Sequence, residues 1–179
     1  MEDSHKEYER LIMPIEDKMI KSVWQITHNS NDAQDAFQDA LMKIWKNIKK
    51  IKRHPNPHAL ILRICANSAY DILRKKPKHK NLEESFKNSS NHVSTEYSND
   101  ESHSINENRS EIIQAITKLS NNQAIAVTMR YIQDLPYRDI AQALGCKEVT
   151  VRKHISRARN RLGKLLAHLL PNPQKEVKK

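Results

Sequence analysis

Glycine is almost missing from this chain, two among 179 residues. That leaves no loop of the GxGxxG or GxxxxGK kind to cradle a phosphate and removes the usual sequence signs of nucleotide chemistry. Cysteine is equally scarce. Cys65 and Cys146 each stand in an apolar helical context with no second cysteine nearby, which excludes a disulfide framework and a zinc knuckle and leaves small buried hydrophobes. No apolar run reaches the eighteen or so residues of a membrane span. The opening MEDSHKEYER has neither the basic flank nor the apolar stretch of a signal peptide. A cytoplasmic protein without membrane insertion is therefore expected. Acidic residues are also short: 21 Asp plus Glu stand against 31 Lys plus Arg, a net charge of +10. Such a balance favours a polyanionic partner, nucleic acid or an acidic membrane surface, without choosing between them.

What is there reads as helices. Residues 76–109 are rich in Ser, Asn, Lys and Glu, with isolated apolar residues at no regular period, a composition expected of a flexible linker. This divides the chain into an all-α unit at 1–75, with its core from about residue 14, a second all-α unit at 110–170, and a tail at 171–179; both ends are expected to fray. In the first unit, Ile15, Met19, Ile20, Val23, Trp24 and Ile26 suggest one helix. Asn31 or Asp32 can cap another, on which Ala33, Ala36, Phe37, Ala40, Leu41, Ile44, Trp45 and Ile48 recur at three- and four-residue steps. Asp35, Gln38, Asp39 and Lys43 fall on its wet face. After a proline-bearing loop at 52–57, a helix from His58 to about Lys75 turns Leu62, Cys65, Ala66, Ala69, Ile72 and Leu73 inward. Arg63, Asn67, Tyr70 and Arg74 form a separate stripe, which by itself reads as an ordinary solvated face.

The second unit reads as helices at 110–118, 121–131, 137–144 and 148 to about 169. Pro136 suits a first helical turn and Gly145 a left-handed helix end. A short helix carrying Ile140, Ala141 and Leu144, a tight turn, and a long helix with Val151, Ile155, Ala158 and Leu162 on its buried edge make a helix-turn-helix. Thr150, Lys153, His154, Arg157, Asn160, Arg161 and Lys164 point outward, with Arg152, Ser156 and Arg159 on the flanks. From Arg138 to Lys164, eight Lys or Arg stand against two acids. A merely solubilising face mixes its signs; this one suits a DNA groove, with cations on guanine edges and phosphates.

These residues resemble the sigma factors of bacterial RNA polymerase, specifically the compact extracytoplasmic-function type. Asp32-Ala-Gln-Asp-Ala-Phe-Gln-Asp-Ala-Leu-Met-Lys-Ile-Trp and Leu62-Arg-Ile-Cys-Ala-Asn-Ser-Ala-Tyr-Asp-Ile-Leu-Arg-Lys-Lys are similar to the family's region two. Leu119 through Leu162, with Gln123, Leu135-Pro-Tyr-Arg-Asp-Ile-Ala and Thr150-Val…Arg157-Ala-Arg, is similar to region four. The resemblance implies that the chain binds core RNA polymerase through Asp35, Gln38 and Asp39. It implies that Asn67, helped by Arg63, Tyr70, Arg74 and by Arg53 or His54, holds a flipped base and the backbone of the melted minus-ten element. It further implies Thr150, Arg152, Lys153, Ser156 and Arg157 at the minus-35 element, with Arg130 and Tyr137 on phosphates. An anti-sigma factor is expected of the family, and no cofactor. Three departures stand out. Lys153 and His154 occupy positions where the family often has Ser and Arg, Val149 stands where it often has Gly, and Ala59-Leu60-Ile61 replaces the aromatic that often precedes the minus-ten helix. The first two bear on which promoter sequence is read, the third on the edge of the base pocket.

Two other readings remain. A free-standing helix-turn-helix regulator explains the basic helix equally well, but gives no account of the stripes on 35–39 and 63–74. A nuclease with a metal on His54, His58 and Cys65 would need ligands whose spacing is weak and an acidic cluster that is not nearby.

Overall fold

The computed structural model describes residues 2–75 and 99–169, all of whose regular elements are helical. In chain order they are α1 (Glu2–Leu11), α2 (Glu16–Thr27), α3 (Ser30–Lys46), α4 (Ile48–Ile51), α5 (Pro57–Lys75), α6 (Asn99–Thr117), α7 (Asn121–Tyr131), α8 (Tyr137–Leu144) and α9 (Glu148–Leu165), with single 3-10 turns at Met13–Ile15 and Ala167–Leu169. The end of the chain beyond 169, including the tail at 171–179, lies outside the described residues.

Helix boundaries follow local chemistry. His28 takes a left-handed φ of 51° and ends α2, and the Asn29 side chain then accepts the Asp32 N–H at 3.1 Å to start α3. The cap is thus Asn29, not Asn31 or Asp32: a capping side chain serves a donor two or three residues ahead, and the left-handed turn at 28 places Asn29 at that spot. Asn56 accepts the Ala59 N–H at 3.0 Å, with Pro57 as the first helical residue of α5, where its missing N–H costs nothing. Gly145, at φ 65°, ends α8 in the left-handed region that its lack of a Cβ makes accessible.

Helices α2, α3 and α5 pack on one another, as do α7, α8 and α9. Met19, Val23, Ile26, Ala36, Ala40, Ile44, Leu62, Cys65, Ala66 and Ala69 fill the first group; Ile125, Met129, Ile140, Val151, Ile155 and Ala158 fill the second. Helix α5 also lies against α7 and α8, so that the buried apolar residues of both groups join in one core. Trp45, expected on the apolar face of α3, is 37% exposed, and Trp24 on α2 is 45% exposed.

Two segments differ from expectation. The N-terminus does not fray in the described residues: Leu11 and Ile12 are buried, the Tyr8 hydroxyl donates to Glu16 at 2.7 Å, and Lys52 pairs with Glu7 at 2.6 Å. Helix α6 starts at Asn99, well before Ser110; no Pro or Gly interrupts 99–117, and with few apolar residues before 112 the pattern had no period to reveal it. Of the segment 76–109, residues 76–98 lie outside the described residues and 99–109 belong to α6.

Candidate nucleic-acid interface

Helix α9 buries Val151, Ile155 and Ala158 against α7 and α8, and that fixes which residues face out. Arg152, Lys153, Ser156 and Arg157 are exposed, and Thr150 is half-buried at the helix start. His154, expected outward, is half-buried. At one edge of this surface the Tyr137 ring carries two guanidinium groups, Arg152 at 4.5 Å and Arg130 at 5.4 Å from its centroid. Arg130 also donates to the Leu135 carbonyl at 3.2 Å, while Arg152 lies 3.8 Å from Glu148 one turn earlier. Cation–π stacking of this kind limits the rotamers of long side chains, so both cations are held on the α9 side of the fold before any anion arrives.

On α5, Arg63, Asn67, Tyr70 and Arg74 do share one face, but most of it is covered: Tyr70 is buried, Arg63 and Asn67 are half-buried, and of the four Arg74 alone is exposed. Tyr70 is 0% exposed, and its hydroxyl lies 2.7 Å from that of Thr128 on α7. Burial pushes the Tyr70 phenol up to about 12, so it stays protonated. Arg63 donates to the Ala143 carbonyl on α8 at 2.7 Å, Arg74 donates to the Asn121 side chain at 3.1 Å, and Asn121 donates to Asn67 at 3.2 Å. A stripe at three- and four-residue spacing shows only that residues share a face; what covers that face is set by tertiary packing, which the spacing does not contain. Arg53 is exposed, and His54 is occupied locally, its Nδ1 taking the Asn56 N–H at 3.1 Å.

On α3, Asp35 and Gln38 are exposed and Asp39 is partly so. Burial works against ionisation of Asp39, but Lys43 at 2.6 Å outweighs it and holds the carboxyl below its ordinary value. Lys43 also reaches Ser68 at 3.1 Å and Asp71 at 3.4 Å on α5, which ties the acidic face of α3 to the back of the α5 stripe.

Gln133 and Thr128 were not legible in the sequence. Gln133 is 2% exposed; its side-chain nitrogen donates to the Ser22 hydroxyl at 2.8 Å and to the Leu62 carbonyl at 3.0 Å, while its Oε1 has no hydrogen-bond partner among the described residues. A lone polar residue just past a helix end gives no periodic signal of such a role. Cys65 is buried, its thiol pushed up to about 12 by burial, and among the described residues no group of three or more His, Cys, Asp or Glu could hold a metal ion. Nor is any described helix long and apolar enough to cross a membrane.

Comparison with known proteins bears on both helical groups. Residues 11–78 match the sigma-70 region 2 model and residues 109–162 the sigma-70 region 4 model, together well over half of the chain. The chain is 25% identical over 169 residues to the RNA polymerase sigma-H factor of Pseudomonas aeruginosa, covering 91% of this chain and 88% of that one. It is 28% identical over 138 residues to the extracytoplasmic-function sigma-E factor of Escherichia coli K12, covering 73% and 71%. Among solved structures it is similar to the sigma factor RpoE of Bartonella quintana in complex with the anti-sigma factor NepR, with a TM-score of 0.54 and 25% identity over 90% of this chain and 98% of that one. With region 2 and region 4 both present, in that order, the chain belongs to the sigma-70 family as an RNA polymerase sigma factor of the extracytoplasmic-function type.

Proposed function

We propose that this sigma factor divides promoter reading between two helices, α5 for the melted minus-ten strand and α9 for the minus-35 duplex, while α3 docks on the polymerase. The family function is to bind core RNA polymerase and direct promoter recognition and strand opening. The match of residues 11–78 to region 2 favours this over a free-standing regulator, which has no use for that region.

The observation that carries the duplex half is the α9 surface. Arg152, Lys153, Ser156 and Arg157 lie exposed on one side of a helix whose other side is packed into the core. Thr150 at the helix start, with Arg130 and Tyr137 at the edge, completes a surface in which cations meet phosphates and the first turns enter the major groove. On α5, Asn67 supplies the amide suited to hydrogen-bonding an unstacked base, Tyr70 a ring to stack it, and Arg63 and Arg74 charge for the backbone. On α3, Asp35, Gln38 and Asp39 offer acid and amide groups to a basic partner helix. The α5 assignment requires α5 to part from α7 and α8, so residues 1–75 and 110–170 act as separable units joined through 76–109.

No step of this function needs catalysis by the chain or a cofactor; phosphodiester chemistry belongs to the polymerase. The site of action is that of the polymerase, the cytoplasm. An anti-sigma factor is a fitting partner, since the similar RpoE structure holds one. The test is run-off transcription with core polymerase on a pool of promoter fragments. Specific transcripts that depend on this protein are expected; binding to duplex DNA with neither polymerase association nor any transcript would return the reading to a free-standing regulator.

A further inference from the structure

We propose that Val149 reads a base of the minus-35 element, its isopropyl group packing against the C5-methyl of one thymine in the major groove and so selecting a T·A pair at that position. This rests on the assignment of α9 to the minus-35 duplex.

Packing gives Val149 no role in the fold. It is 61% exposed, the most exposed large apolar side chain among the described residues and the only one on α9 that is exposed. It belongs neither to the buried core nor to the apolar residues packed against it. Helix formation does not call for it either: it is the second residue of α9, and a β-branched side chain forms helix less readily than alanine. The rest of the helix fixes where it points. Val151, Ile155 and Ala158 are buried, and at about 100° per residue Val149 and Lys153 project within about 30° of the direction opposite that edge, whereas Arg152 lies about 90° from it.

The neighbours of Val149 narrow its chemistry. Arg152 leans onto the Tyr137 ring at 4.5 Å, on the edge shared with Arg130, where long cations suit phosphates. Lys153, one turn on from Val149, and Ser156 beyond it are exposed and bring hydrogen-bonding groups to base edges. Val149 stands on the same row nearest the helix start, the part of such a helix that enters the major groove, and it has no hydrogen-bonding group to offer there. In that groove thymine alone presents a methyl group. An exposed valine gains by burying that methyl, whereas against the donors and acceptors of the other edges it strips water without replacing the hydrogen bonds.

The test is the removal of single methyl groups from the DNA. Holoenzyme is assembled from core polymerase and the full chain, and its affinity is measured for fragments of a promoter that the protein transcribes, with deoxyuridine replacing each thymine of the minus-35 element in turn, on both strands. This substitution deletes the C5-methyl and leaves base pairing intact. Wild type should lose about fourfold in affinity at one thymine and little at the others. Val149→Ala, at an exposed position where alanine forms helix at least as well, should bind the thymine fragment about as weakly as wild type binds the deoxyuridine one, and should not distinguish the two. A merely structural effect of the substitution would weaken binding to both fragments and keep the fourfold ratio, which would overturn the proposal, as would a wild type indifferent to every deoxyuridine. Arg157→Ala, measured alongside, separates the two layers. If it weakens promoter binding while either contrary result holds, α9 reads the duplex and only the role of Val149 fails; if it leaves binding unchanged, the assignment of α9 fails and the proposal with it.

Discussion

The contact between Tyr70 and Thr128 allows a quantitative check of the packing that joins the two helical groups. Both residues are 0% exposed and their hydroxyl oxygens lie 2.7 Å apart. Tyr70→Phe alone leaves the Thr128 hydroxyl buried without this partner, and Thr128→Val alone does the same to the phenol; each should cost about 1–3 kcal/mol. Tyr70→Phe should fall at the lower end, because a helical threonine can turn its hydroxyl to the carbonyl four residues back. Tyr70→Phe with Thr128→Val replaces both groups by apolar ones of nearly the same shape and should cost little more than either single change. The cycle therefore carries a coupling energy on the order of 1 kcal/mol or more, with the double variant more stable than the sum of the singles implies. Urea unfolding of the four full-length proteins, followed by circular dichroism, measures it. Additivity to within about 0.5 kcal/mol would refute the contact in solution.

Other consequences follow from particular residues. Gly145→Ala puts a Cβ at φ 65°, where no neighbouring atom obstructs it but the backbone disfavours it, so stability should fall by about 1–2 kcal/mol in thermal unfolding and Gly145→Asn should cost less. Asn29→Ala removes the cap of α3 and should cost about 1 kcal/mol in the same assay. Arg157→Ala should lower the slope of log affinity against log salt for duplex DNA by about 0.9 if Arg157 neutralises one phosphate; an unchanged slope would remove it from the backbone contacts. His28 is held neutral, its pKa lowered to about 4 by burial and by the charge of Arg109, and its Nε2 has no hydrogen-bond partner among the described residues. Because the folded value lies below the ordinary 6.5, the unfolded chain binds more protons between the two, so stability is full above about 6.5 and is lost as pH falls towards 4. His28→Asn, which tolerates the left-handed backbone, should flatten that decline in unfolding measured across pH.

The helix-turn-helix was legible nearly to the residue because three local signals coincide there: Gly145 demands a left-handed end, Pro136 a start, and Val151, Ile155 and Ala158 set a single buried edge. Helix α3 was legible by its period, but its cap was misplaced by two or three residues, because several capping types run together at 29–32. Helix α1 and the first half of α6 were not legible, since their anchoring depends on distant partners and on few apolar residues. The α5 stripe shows the limit most sharply. Its residues were identified correctly as one face, yet its surroundings depend on Thr128, Ala143 and Gln133, which lie 58 to 80 positions away from their partners on α5. No local pattern reports contacts at that separation.

The central claim is the division of promoter reading between α5 and α9, and permanganate reactivity of thymines in polymerase–promoter complexes tests it most directly when combined with upstream footprinting. Complexes made with Asn67→Ala should keep upstream protection and lose reactivity across the minus-ten element; those made with Arg157→Ala should lose upstream protection first. Intact minus-ten opening with Asn67→Ala, or upstream protection indifferent to Arg157→Ala, would contradict it.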